Sequence, residues 1–168
     1  GAMLASAGLK QSDVRLINVN FSLAPSLLSG QVDAVIGAFR NYETHQMVLK
    51  GKAVRTFPVE AFGVPSYEEL VFLTAKTNAQ MPKVRVFIQT TAAAAASIAE
   101  DKNAAWATLT AADPKFDNEL NKRAYADTAR LFAISLAPVD SKAYETFAQF
   151  LKERGLTRNH VPLSAYAP

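Results

Sequence analysis

Val14 to Asn20 (VRLINVN) largely alternates apolar and polar side chains, the period of a strand with one buried face. Val32, Ala34, Val35 and Ile36 form a short apolar run rich in β-branched residues, the pattern of a strand covered on both faces. Ala53 to Phe57 reads as a third strand, with Pro58 interrupting its ladder, and Glu69 to Thr74 as a fourth. Helical stretches separate the first three. Leu23 to Ser29 follows a capping Ser22, tolerates Pro25 in its first turn and closes at Gly30. Glu43 to Lys50 places an acid in its first turn and a base in its last, and ends at Gly51. Strand, helix, strand, helix, strand at this spacing predicts parallel βαβ units and an α/β class.

Beyond Thr74 the pattern is helical only. In Met81 to Glu100, Val84, Phe87, Ile88, Thr91, Ala95 and Ile98 recur at three- and four-residue steps around the run Ala92 to Ala96. Further helices are expected from about Lys102 to Ala111, carrying Trp106, and from about Phe116 to Phe132, with Leu120, Ala124 and Leu131 inward. Asp140 caps a last helix with Tyr144, Phe147, Ala148 and Leu151 on one face, stopped by Gly155. The proline-punctuated tail from Leu156 is expected to lie extended. The change of pattern sets an organisational boundary between residues 1–66 and 67–168. Met3 to Ala7 reads as the last turns of a helix, and an α/β domain rarely begins inside one. Elements upstream of Gly1 are therefore expected to belong to the fold.

Composition narrows the chemistry. The 168 residues are 49% hydrophobic and 20% charged, enough apolar material for a core. The net charge of +3 comes from 18 basic and 15 acidic side chains without long basic runs, so no nucleic-acid partner is expected. The chain has no cysteine, which removes disulfides, thiolate metal sites and a cysteine nucleophile. No glycine-rich phosphate loop, G-x-S-x-G elbow or H-E-x-x-H motif occurs. His45 and His160 stand far apart without metal-ligand spacing, and both read as surface residues. No catalytic residue, metal site or cofactor is expected, and the aromatic stripe Tyr144, Phe147, Phe150 reads as core, as does Trp106.

One segment gathers binding chemistry. Gly37 lets the backbone turn after the second strand, and Phe39, Arg40, Asn41, Tyr42 and Glu43 follow where open α/β sheets bind ligands. A carboxylate such as Glu43 accepts N–H bonds that charge strengthens. Phe39 and Tyr42 offer aromatic faces, and Asn41 both a donor and an acceptor. Together they suit a flat heteroaromatic ligand bearing N–H groups. An Arg40–Glu43 ion pair in a plain strand-to-helix loop is the alternative.

The stretches LLSGQVDAVIGAFRNYE, GVPSYEELVFLTAK and FAQFLKERGLTRNHVPLSAY, in this order, resemble the substrate-binding proteins of ABC transporters that include thiamine-precursor pyrimidine binders, the related yeast pyrimidine synthases and sulfonate binders. The resemblance runs from Leu4 through nearly the whole chain. It implies a periplasmic-binding-protein type II-like fold in truncated form, with residues 1–66 a partial second lobe and residues 67–168 a hinge return and the helices of the first lobe. It implies a non-enzymatic, periplasmic or membrane-anchored extracellular receptor that takes a hydroxymethyl- or formylaminopyrimidine and delivers it to an ABC permease. Phe39, Asn41, Tyr42 and Glu43 are the implied ligand-binding residues, with Asn20 and Phe21 as weaker neighbours. Many members carry tyrosine at the position of Phe39 and tryptophan at that of Arg40. Another small solute such as a sulfonate, a pyrimidine-synthase-like enzyme, and a fragment without ligand function that forms homo-oligomers are the alternatives. The synthases use a cysteine-rich iron site, and this chain has no cysteine.

Overall fold

A computed structural model describes residues 1–132, 139–159 and 161–166. Seven α-helices are formed among them: α1 (Ala2–Ser6), α2 (Leu23–Leu28), α3 (Glu43–Leu49), α4 (Pro82–Glu100), α5 (Lys102–Ala112), α6 (Glu119–Thr128) and α7 (Ser141–Glu153). None is long and apolar enough to cross a membrane. Short 3-10 turns at Gln11–Asp13, Val59–Phe62, Lys76–Asn78 and Pro114–Phe116 lie between them, and one at Leu163–Ala165 follows α7.

The helices sit where periodicity and capping put them, within a residue or two, except α6. Its expected start at Phe116 is taken by a separate 3-10 turn, because Asp113 caps Pro114–Phe116 through the Lys115 N–H at 3.0 Å. Asn118 then caps afresh, accepting the Asn121 N–H at 2.9 Å. At its other end α6 stops at Thr128, and Leu131, read as inward, is 77% exposed. Asp140 does cap α7, accepting the Ala143 N–H at 3.0 Å. Ser22 precedes α2 but makes no side-chain capping bond.

The four expected strands are a correction: among the described residues no strand forms, and the βαβ lobe is not seen. A strand is a property of two segments, since its N–H and C=O groups are satisfied only across a ladder. β-Branched composition measures fit to a half-buried pleated surface, which a neighbour must supply. Ile36, expected to be covered on both faces, is 77% exposed, and Leu73 is 90% exposed. The tail also departs from an extended path, with its 3-10 turn at Leu163–Ala165.

The chain divides into two compact units. In the first, made of Gly1–Arg15, Phe57–Ile88 and Ala137–Pro168, α1 packs on the Val59–Phe62 turn. Tyr67 stacks on Phe147 at 4.5 Å between ring centroids, and Phe72 meets Phe87 edge to face at 4.9 Å. The second unit comprises Leu16–Thr56 and Gln89–Leu136. It holds all four residues buried most deeply among those described: Ala24 and Ser26 on α2, Met47 on α3, and Ala129 just beyond α6. There α3 packs against both α2 and α6. Trp106 on α5 lies 5.0 Å from the Tyr125 ring on α6, and the Tyr125 hydroxyl donates to the Lys102 carbonyl at 2.8 Å. Burial, then the Asp101 carboxylate, raises the Tyr125 phenol above its ordinary pKa. Trp106 is half-buried, not enclosed, as are Tyr144, Phe147 and Phe150.

Candidate functional site

Gly37, with φ of 88°, turns the backbone out of the Val32–Ile36 segment toward residues 39–43. α3 begins at the end of that segment, with Tyr42 as its N-cap residue and Glu43 in its first turn. Glu43 reaches back so that Oε2 accepts the Phe39 backbone N–H at 2.7 Å. This closes the loop onto the helix and puts a carboxylate at the positive end of the helix dipole. Phe39 and Tyr42 present exposed rings on the same short stretch, while Asn41 and Glu43 are half-buried.

Two side-chain bonds fasten this stretch to the end of α6, some eighty residues on. Asn41 Nδ2 donates to Thr128 Oγ1 at 2.7 Å. One helical turn along α3, His45 Nε2 lies 2.7 Å from Asp127 Oδ2. Asp127 also pairs with Arg130. Ala129, the residue after Thr128 and the C-cap of α6, is buried at 2% exposed. The arrangement holds an amide, a carboxylate and two aromatic rings within five residues on a packed scaffold. Such a set can bind a flat polar ring.

Of the residues expected to bind ligand, Phe39, Asn41, Tyr42 and Glu43 are brought together. Asn20 and Phe21 are not joined to them. Asn20 has a left-handed backbone, φ 50°, and its N–H is taken by Asn18 Oδ1 at 2.9 Å, while Phe21 is fully exposed. His45, read as a surface residue, is instead tied to Asp127 and largely covered; His160 lies outside the described residues. A recess of about 400 Å³ in the same unit, lined by Leu27, Gly30, Met47 and Val54 among others, includes none of residues 39–43.

Asp127 and Thr128 were not legible as site residues. One signal could have found them. On the face carrying Leu120 and Ala124, the next three- and four-residue steps land on Asp127 and Thr128, two polar side chains where an inward face calls for apolar ones. Among the described residues no group of three or more histidine, cysteine, aspartate or glutamate side chains could hold a metal ion.

Comparison with known proteins agrees with the sequence resemblance. The chain is 40% identical over 167 residues to a Haemophilus influenzae protein named for thiamine biosynthesis, covering 98% of this chain and 53% of the relative. It is 36% identical over 72 residues to the formylaminopyrimidine-binding protein of Halalkalibacterium halodurans, covering 43% of this chain and 22% of that one. The chain thus spans about half the length of the first relative and less of the second. No solved structure gives a significant match. The family model described as NMT1/THI5 like matches residues 1–105. With well over half of its length matched, the chain belongs to the NMT1/THI5-like family, whose fold is periplasmic-binding-protein-like.

Proposed function

We propose that this chain carries the pyrimidine-recognising part of a solute-binding component of an ABC importer, and that its ligand is a thiamine-related aminopyrimidine. The observation that carries the reading is the Asn41–Tyr42–Glu43 segment, set on the first turn of α3 and braced by α6 in a chain related to a formylaminopyrimidine-binding protein. Glu43 supplies a carboxylate acceptor for ring-edge N–H groups, Asn41 a second polar contact, and Phe39 and Tyr42 the stacking faces. The protein binds and releases its ligand without transforming it, works outside the cytoplasm and hands the ligand to a permease. The test is a thermal-shift and calorimetric titration with 4-amino-5-hydroxymethyl-2-methylpyrimidine and its formylaminomethyl analogue. A ligand that binds only the native state raises its stability, by about 2.7 kcal/mol at a hundredfold excess over Kd. No shift with either compound would discard the pyrimidine.

The chain is also proposed to self-associate. Leu70, Phe72 and Leu73 form an exposed apolar stretch of strand-like composition in the first unit, which is a template for pairing with a second copy. Sedimentation at tens of micromolar is expected to give about twice the monomer mass of 18.2 kDa. A Leu73→Asp variant should shift the population to monomer, and a monomeric wild type would refute the pairing.

A further inference from the structure

The Asn41 amide stands at the end of a chain of hydrogen bonds that runs from it through Thr128 to the Ala124 carbonyl. Thr128 has a single hydroxyl proton, and it is donated along α6 to the Ala124 carbonyl at 2.7 Å. Toward Asn41, Oγ1 can therefore only accept, so the amide must turn its Nδ2 to Thr128, as it does at 2.7 Å. With the hydroxyl proton held by the Ala124 carbonyl, the opposite orientation would set two acceptors, Oδ1 and Oγ1, against each other. Asn41 Oδ1 is thereby directed away from Thr128, and among the described residues it takes no hydrogen bond. Two residues on, Glu43 is also used as an acceptor, taking the Phe39 N–H. The adjacent His45–Asp127 contact, one turn further along α3, holds the two helices in the register the Asn41–Thr128 bond needs.

We propose that Thr128 is a specificity-determining positioning residue: by fixing Asn41 with its carbonyl oxygen outward, it makes the Asn41–Glu43 edge an array of acceptors that selects rings carrying N–H donors. This rests on the proposed pyrimidine-binding function and adds to it the polarity of the recognised edge and the residue that sets it. A ligand with an exocyclic amino group satisfies the edge. One with an ether or carbonyl oxygen there opposes it.

The test compares Thr128→Val, which keeps the shape and removes the hydroxyl, with Thr128→Ser, which keeps the hydroxyl, in the full 168-residue chain. Two readouts are taken: the Asn41 side-chain amide resonances without ligand, and affinities for 4-amino-5-hydroxymethyl-2-methylpyrimidine and its 4-methoxy analogue, which lacks the N–H donors. Wild type and Thr128→Ser are expected to show an Asn41 amide shifted from the free-amide position and to favour the amino compound by about tenfold or more. In Thr128→Val the amide should move to the free position and the preference fall to about threefold or less. If the valine variant does not fold, Thr128→Ala gives the same comparison. A preference unchanged in the valine or alanine variant, or an equal loss for both compounds, would overturn the positioning role while leaving pyrimidine binding intact. Wild-type chain that binds neither compound would overturn the underlying function as well.

Discussion

Glu43→Ala is expected to weaken binding of 4-amino-5-hydroxymethyl-2-methylpyrimidine by about 10- to 150-fold, the equivalent of about 1.5–3 kcal/mol for a hydrogen bond to a charged group. The carboxylate stands in the first turn of α3, where the helix dipole favours negative charge, and its backward bond to the Phe39 N–H fixes its position before any ligand arrives. A preformed acceptor loses little entropy on binding, so most of its interaction is realised as affinity. Alanine also releases the Phe39 N–H and loosens the loop, an effect that must be separated from the lost contact. Glu43→Gln does this, because its side-chain carbonyl can still accept from Phe39 while the charge is gone. The glutamine variant should keep the wild-type thermal midpoint without ligand and bind about tenfold more weakly. Calorimetry on both variants settles the matter: full affinity in Glu43→Ala removes the carboxylate from the site.

The helices were legible in the sequence because the interactions that make them are local. Asp140, Asn118 and Asp101 each bond an N–H two or three residues ahead, and a reader of one segment has all the partners in view. Asp113 is the instructive failure. Its cap is equally local, but it claims Pro114–Phe116 for a separate turn and delays α6, and apolar spacing alone does not register that competition. The four expected strands did not form because VRLINVN and VDAVI state only what their side chains prefer once a neighbour is present. The candidate segment was partly legible. Phe39, Asn41, Tyr42 and Glu43 lie within five positions, so adjacency alone gathers them. Thr128 and Asp127 reach them from the end of α6, and their spacing from residues 41 and 45 carries no periodic signature. A polar pair on an otherwise apolar helical face is the one trace such a contact leaves.

The most deeply buried of the described residues belong to the same unit as these contacts, and Met47→Ala is accordingly expected to destabilise that unit by about 2 kcal/mol. Met47 is 6% exposed on α3, the helix that packs against both α6 and α2, which carries the buried Ala24 and Ser26. Truncation removes three heavy atoms from that junction and leaves a void that partly collapses, because neighbouring Leu27, Leu28 and Val54 are only half-buried. This places the loss at the lower end of the range for Met→Ala in cores. Trp106 is the chain's single tryptophan and belongs to the same unit, so its fluorescence reports this unfolding without labels. With a urea dependence of about 2 kcal/mol per molar, the midpoint should fall by about 1 M. Leu156→Ala provides the contrast, since that side chain is 68% exposed in the first unit and should leave the Trp106 transition in place. Met47→Leu, which conserves most of the volume, should cost less than about 1.5 kcal/mol. If Met47→Ala left the transition unmoved, the α2–α3–α6 junction would not be the core of this unit. The bracing of Asn41 and His45 by α6 would then lack the rigid support that the proposed recognition at Glu43 requires.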